Sequence, residues 1–572
     1  MWKYRSSSKS AKESQKSENV IKDLSEKKAF HDWPNDAGFN ADTECRIPVK
    51  LEVKGKIPAC VAGTLYRTGP SHYKLNGTPI GEYKTSHWFD GFTTIHRFSI
   101  VEQDDGGCSV AYNSRKQVDQ LLEQIRKTGK LDGISFAQKR DPCDGVYQKL
   151  KAVFEPARAK DPYQSNVGVT ITTNPSGLQQ RDPKKTASSK SFAVVRTDHV
   201  QMKMINLETL EPIGVTDQTI LHPHLKGPMS GAHAQFDPDN GDVFNYNLDF
   251  GKVCTYRVFK TSLMTGQTEI LATISGSDIK PAYIHSFFLT SDFVVLAVWS
   301  SHIPGYGISI LWDRNILDAL APFNPKSKVK WLVIDRRGNR GLVATFESPA
   351  AFSFHSVNAW QEPSPEDGTT VNIMCDVIQF PTLDILHRLY YDNLVSTGPG
   401  VSNWAGEESP MAKSIEPSLS RYRLSGVPIQ VGKKLKVTSE ADLLFQAPSP
   451  LIGDLPTINP RYATRSTRYV YSLVDQGKSS LVDGISKFDT VTKNVTYWMT
   501  DKHTPGEAIF VPDPDRSSED GGFLLSVILD GEKGTSYLLC LDAENMQEVG
   551  RAEVGVAVGF GFHGCHVVDE SR

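Results

Sequence analysis

The apolar positions of this chain come in short runs of Val, Ile, Tyr, Phe and Thr, each stopped by Gly, Asp or Asn. That pattern predicts strands joined by tight turns. "SFAVVRTDHVQMKMINLETL" reads as two strands with a tight connection, and "GDVFNYNLDFGKVCTYRVFKTS" repeats it. So do "SFFLTSDFVVLAVWS", "KVKWLVIDRRGNRGLVATFES", "STRYVYSLVDQGKSSLVDGISKFDTVTKNVTYWM" and "GGFLLSVILDGEKGTSYLLCLDAENMQEV". Helical periodicity is rare. The best helix is predicted in "SRKQVDQLLEQIRKTGKLDG", where Val118, Leu121, Leu122 and Ile125 fall at helical spacing. So many sheet-forming units without an obvious domain linker predict an all-β chain built by radial repetition, a β-propeller of small sheets packed on their neighbours. No fixed period or WD-like signature marks the repeats. The longest breaks, "NPSGLQQRDPKKTASSK", "LVSTGPGVSNWAGEESPMAK" and "PDPDRSSED", read as insertions between strands.

Composition narrows the class. The 572 residues are 39% hydrophobic and 23% charged, ordinary for a globular protein. A net charge of -3 lacks the basic surface that nucleic acid requires. Eight cysteines are scattered without a C-x-x-C pair, which speaks against a zinc ribbon or a disulfide framework and for reduced thiols in the cytoplasm. The opening "MWKYRSSSKSAKESQKSEN" has no apolar core, so it reads as a disordered tail over residues 1–28 rather than a secretory signal. Residues 29–572 are then one domain. No run of about 18 apolar residues predicts a membrane-spanning helix.

Candidate chemistry lies with the histidines. His233 in "SGAHAQFDP", His285 in "AYIHSFFLT", His355 in "FSFHSVNAW" and His563 in "GFGFHGCHV" each sit at the edge of a strand-like run, and each belongs to a different expected blade. Blades bring their inner strands to one axis, so residues far apart in sequence can meet there. Four imidazoles on that axis would bind a divalent transition metal. Four independent buried histidines account for the pattern equally well. A metal-bound imidazole usually donates its other N–H to a carboxylate or carbonyl, and Asp198 in "VRTDHVQ", Asp454 in "IGDLPTINP" and Glu507 in "TPGEAIFVP" stand in suitable strand-edge settings.

In order along the chain, "GTLYRTGP", "HWFDGFTTIHRF", "GAHAQFDP", "YIHSFFLT", "FHSVNAWQE", "DLPTINP", "GEAIFV" and "GFHG" resemble the carotenoid cleavage oxygenases. The likeness runs from about Ile47 to about Val567. "GTLYRTGPSHY", "FAQKRDPCD", "NVGVTITTN" and "MSGAHAQFDPDNGDVFNYNL" are most similar to the fungal retinal-forming β-carotene oxygenases. The resemblance implies a seven-bladed β-propeller, with a few helices and loops capping its top face, and a non-haem Fe(II) on its axis. It implies His233, His285, His355 and His563 as the ligands. It also implies a carboxylate behind three of them: Glu507 in one place, and Asp198 and Asp454 where the family has glutamates. Aspartate is one methylene shorter, so its reach requires a shifted backbone or a water. No catalytic residue beyond the metal site is expected.

The implied reaction inserts both atoms of O2 across one C=C bond of an apolar polyene, with central cleavage of β-carotene to retinal as the leading expectation. A stilbene or lignostilbene cleaver, an apocarotenoid-specific cleaver, and a propeller that binds apolar ligands without turnover are the alternatives. Phe89, Phe92, Phe287, Phe288, Phe352, Trp360 and Phe560 lie near the motifs and are candidates for a tunnel wall or for packing between blades. A carotenoid resides in a membrane, so peripheral membrane contact is expected through "QVDQLLEQIRKTGKLDGISF" or "IPGYGISILWDRNILDALAPF". His72, His87, Asp90 and His96 lie close together but outside the four ligand motifs. They read as structural, with Asp90 and Gly91 shaping a turn and His87 helping to close the ring. The oligomeric state stays open.

Overall fold

A computed structural model of the chain describes residues 32–140, 161–173, 175–178, 192–251, 253–338, 340–364, 368–404, 409, 411–430 and 438–568. The tail expected over residues 1–28 lies outside them. The short apolar runs are strands, and they group into seven sheets of four to six strands plus one hairpin, Lys74–Thr78 with Gly81–Lys84. The seven sheets are the blades of the expected propeller.

Numbered along the chain, the second to sixth blades start at the axis with Thr170–Thr173, Met229–Ser230, Phe288–Leu289, Ser356–Pro363 and Asp454–Thr457. The seventh starts with His503–Pro505 and Ile509–Pro512. Each blade has a neighbour on both faces, so its middle strands lose the one-sided alternation of an exposed sheet. Phe293–Val298 and Gly522–Asp530 are buried along their whole lengths. At the rim the pattern returns, as in Glu548–Glu553, where buried and more accessible positions alternate.

The two ends of the chain close the ring. The C-terminal strand His563–Val568 is the innermost strand of the first blade, antiparallel to Gly63–His72, with Thr68 opposite His563. Near the N-terminus, Glu52–Gly55 joins the rim of the seventh blade beside Glu548–Glu553. Gly69 shows what the "GTLYRTGP" motif is for. Its φ is +142°, and a Cβ there would stand 2.4 Å from the backbone nitrogen of Phe562. Only glycine lets the final strand come in so close.

Short helices in the connections cap the propeller. Helix Asp119–Thr128 forms where the periodicity placed it, with Leu121, Leu122 and Ile125 buried, and Gly129 ends it in the left-handed conformation. The other caps include the short helices Ile308–Asp313, Asp384–Arg388 and Tyr391–Leu394.

The clustered histidines of the first blade are structural. His87 does not close the ring as the sequence suggested; it fastens a cap. Its Nδ1 accepts from the Phe89 N–H at 3.1 Å, and its Nε2 lies 2.9 Å from the Leu386 carbonyl. A carbonyl only accepts, so the ring is the neutral Nε2–H tautomer. His96 pairs with the Tyr112 hydroxyl at 2.9 Å. Asp90 accepts from the N–H groups of Phe136 and Ala137 at 2.7 and 2.8 Å, and so pins the strap that crosses the top.

Burial pushes His87 down to about 3. In the unfolded chain it titrates near its ordinary 6.5. Its stabilising effect is therefore complete above about pH 6.5 and is lost as the pH falls toward 3, at about 1.4 kcal/mol per pH unit. His87→Asn places an oxygen where Nδ1 was and removes the titration. Its urea midpoint should fall less between pH 7 and 5 than that of the parent protein.

Candidate metal centre

His233 follows the first inner strand segment of the third blade, His285 lies three residues before the inner strand of the fourth, His355 directly precedes that of the fifth, and His563 begins the inner strand of the first. Their ligand-capable nitrogens all lie within 4.8 Å of one another. The rings stand nearly perpendicular in several pairs, His233 with His563 at 87° and His285 with His355 at 88°. The sequence left two accounts open, and the four rings converge.

The three carboxylates come from the three remaining blades. Asp198, in the second blade, holds both oxygens 2.9 Å from His285 Nδ1. Asp454, in the sixth, lies 2.7 Å from His355 Nδ1, and Glu507, in the seventh, lies 2.7 Å from His563 Nδ1. All three contacts are direct, so the shorter aspartates need no bridging water. Gly453 supplies the close backbone approach before Asp454: a Cβ there would stand 1.7 Å from the Leu473 carbonyl oxygen. Among the described residues, no carboxylate pairs with the ring of His233.

These bonds fix three tautomers. An ionised carboxylate only accepts, so each Nδ1 carries the proton and each Nε2 presents a lone pair. His355 Nε2 and His563 Nε2 lie 3.3 Å apart, and His233 Nε2 is 3.0 Å from His563 Nε2. Converging acceptors of this kind are completed by a cation. Burial, and then the neighbouring imidazoles, hold His233 and His563 well below the ordinary histidine range, in the neutral form that ligates. Four neutral imidazoles suit iron, copper, nickel and zinc, and leave a divalent ion its full charge.

Two supporting residues escaped the sequence reading. Arg67 is buried, and its Nη1 donates to Glu507 Oε2 at 2.6 Å, while the Gly564 N–H donates to the same oxygen at 2.8 Å. Tyr283 donates its hydroxyl to Asp198 Oδ2 at 2.7 Å. Both were within reach of the sequence. Arg67 lies inside "GTLYRTGP", and Tyr283 precedes His285 by two, on the same side of an extended segment.

A cavity of about 1030 Å³ opens over this centre and touches His285, His355 and His563. Of the seven aromatics singled out by their nearness to the motifs, Phe89 and Phe560 line it. Phe92, Phe287, Phe288, Phe352 and Trp360 are buried elsewhere in the core. Its other aromatic walls include Phe136, Phe354, Phe380 and Phe562, of which Phe354 meets His285 edge to face at 5.8 Å. Leu131, Ile134, Tyr306 and Ile308 also line it. Ile134, Tyr306 and Ile308 are 44%, 66% and 54% exposed, which marks the mouth.

A seven-bladed propeller with four axial imidazoles, three of them backed by carboxylates, defines the class. The family described as RPE65, retinal pigment epithelial membrane protein, matches residues 38–568. The chain belongs to that family, the carotenoid cleavage oxygenases its motifs resemble. It is 44% identical over 562 residues to a protein of Neurospora crassa named carotenoid dioxygenase, covering 94% of this chain and 92% of the relative. It is 40% identical over 552 residues to the torulene dioxygenase of Gibberella fujikuroi, covering 94% of each. The fungal likeness seen in the sequence holds at that level, without singling out retinal formation. A solved variant of the Synechocystis apocarotenoid oxygenase shares the fold, with a TM-score of 0.68 at 19% identity over 93% of this chain and 98% of that one.

Proposed function

We propose that the chain is a non-haem Fe(II) dioxygenase that cleaves one C=C bond of a carotenoid with O2 to give two aldehydes. The convergence of four imidazole donors at the wall of a large, mostly apolar cavity carries this reading. His233, His285, His355 and His563 would hold the iron, with Asp198, Asp454 and Glu507 fixing three of the rings. Bound iron would supply a redox-active centre that overcomes the spin barrier between O2 and an alkene, which zinc cannot do. The balance needs no other reductant: both oxygen atoms enter the two carbonyl products, and the alkene provides the electrons. The chain's own work is to bind, orient and keep dry. The aromatic walls hold one double bond beside the centre, so the bond cleaved is set by position.

The relatives' names shift the substrate expectation. Two torulene dioxygenases, of Gibberella fujikuroi and Fusarium fujikuroi, are 40% identical to this chain, so torulene stands beside β-carotene as the substrate to test. The Fe(II)-loaded protein is incubated with each carotenoid in detergent micelles under air, and the products are separated by chromatography. Retinal as the only product of β-carotene marks central cleavage. Faster turnover of torulene marks it as the substrate. Turnover of neither, with cleavage of a stilbene, overturns the carotenoid reading.

Such a substrate is collected from a cytoplasmic membrane surface by peripheral contact. No helix among the described residues is long and apolar enough to cross a bilayer. Helix Asp119–Thr128 does not supply the contact, because its apolar face is spent against Leu75, Tyr83 and Phe92. The exposed mouth residues Ile134, Tyr306 and Ile308 do. Tyr306→Ser with Ile308→Ser should weaken binding to phospholipid vesicles by at least roughly tenfold in a sedimentation assay.

A further inference from the structure

The cavity has a polar side that a hydrocarbon does not explain. The exposed mouth residues come from the connection before the second blade and from a connection within the fourth. In connections of the fifth and sixth blades, Arg388 and Asp475 line the same cavity. Arg388 ends the helix Asp384–Arg388, and Asp475 directly follows the strand Tyr469–Val474. Leu473 of that strand pairs with Asp454. Asp475 therefore stands two residues, roughly 7 Å, along the strand from the level of the carboxylate that orients His355.

Arg388 is 7% exposed, yet its donors are only partly used. Its Nη2 donates to Asp475 Oδ2 at 3.1 Å and to the Ser480 carbonyl at 2.8 Å, while its Nε–H has no partner. A guanidinium carries five donors, and unpaired buried ones are costly. Asp475 also accepts from the Gly477 N–H at 2.9 Å. A third of its side chain is accessible. Asp475 lines the cavity, so part of that accessible surface faces it.

We propose that Arg388, backed by Asp475, is a specificity-determining group that donates a hydrogen bond to a neutral oxygen on the end of the polyene lying in the cavity. This rests on the carotenoid-cleavage reading and refines it. The enclosed Nε–H cannot reach a ligand, so the group that would donate is Nη1, which makes no hydrogen bond among the described residues. The carboxylate beside it cancels its charge, so the fitting acceptor is an aldehyde carbonyl or a hydroxyl rather than a carboxylate.

The test uses the full-length protein without metal and with oxygen excluded, so that binding is read apart from turnover. Trp88 and Trp404 line the cavity and report occupancy by fluorescence quenching. The probes share one polyene skeleton in detergent micelles and end in CH3, CHO or CO2H. The parent protein should bind the aldehyde about tenfold or more tightly than the hydrocarbon and the acid. Arg388→Met should bring the aldehyde down to the hydrocarbon's affinity. Asp475→Asn should raise the affinity for the acid relative to the aldehyde. Ratios within one protein are compared, so a general loss of stability cancels. Equal affinities for aldehyde and hydrocarbon in the parent, or an unchanged ratio in Arg388→Met, overturn the subsite and leave the carotenoid reading intact. Failure of every polyene to bind the parent overturns both.

Discussion

Replacing His285 by alanine should remove bound metal and activity together. His285 is firmly held in place: both oxygens of Asp198 face its Nδ1 at 2.9 Å, and the Tyr283 hydroxyl steadies the carboxylate behind it. Losing an orienting partner alone typically costs 10–100-fold in metal affinity or activity. Losing the ligand itself should cost more, so turnover should fall by well over about 100-fold. The variant also leaves Asp198 buried with one partner fewer, a cost of about 1–3 kcal/mol in folding stability. Metal content by elemental analysis separates the two effects. A folded His285→Ala protein that keeps its metal and full activity would sink the four-histidine assignment.

Arg67→Met should be the most damaging substitution that touches no ligand. Arg67 is buried under Glu507 and donates to it at 2.6 Å. Burial pushes the Glu507 carboxyl up, and the guanidinium is the first of the forces that hold it down. Removing one member of a buried pair leaves an uncompensated charge, which costs about 3–5 kcal/mol. Without Arg67, Glu507 becomes more easily protonated, and its hold on the His563 N–H weakens. Urea unfolding and metal titration should therefore both deteriorate, and Arg67→Lys should restore part of each. A variant with parental stability and parental metal affinity would show that the pair is idle.

Much of the fold was legible because a propeller repeats one local rule. Strands such as Phe293–Val298 declare themselves by composition, and the helix over Asp119–Thr128 by spacing. The four histidines were legible as candidates because each sits at the edge of such a strand. Their convergence came only from the resemblance of the motifs, since it depends on seven sheets closing a ring, and no local pattern contains that. The tunnel walls were harder still. Phe287 and Phe288 lie beside a ligand histidine, yet both are buried in the core, whereas Phe136 reaches the cavity from the strap that Asp90 pins. Nearness in sequence does not set which face of a blade a ring occupies. His87 was misread for a related reason: its partner, the Leu386 carbonyl, is 299 residues away.

Each of the seven blades contributes one residue to the centre, and the last of them, His563, arrives on the strand that closes the ring. The latch and the ligand are the same piece of chain. During synthesis the other six contributions exist before this strand does, but they cannot form the complete cage until it docks on Gly63–His72. A metal that bound only the closed form would stabilise closure by mass action, so the ion would act as the final rivet of the ring.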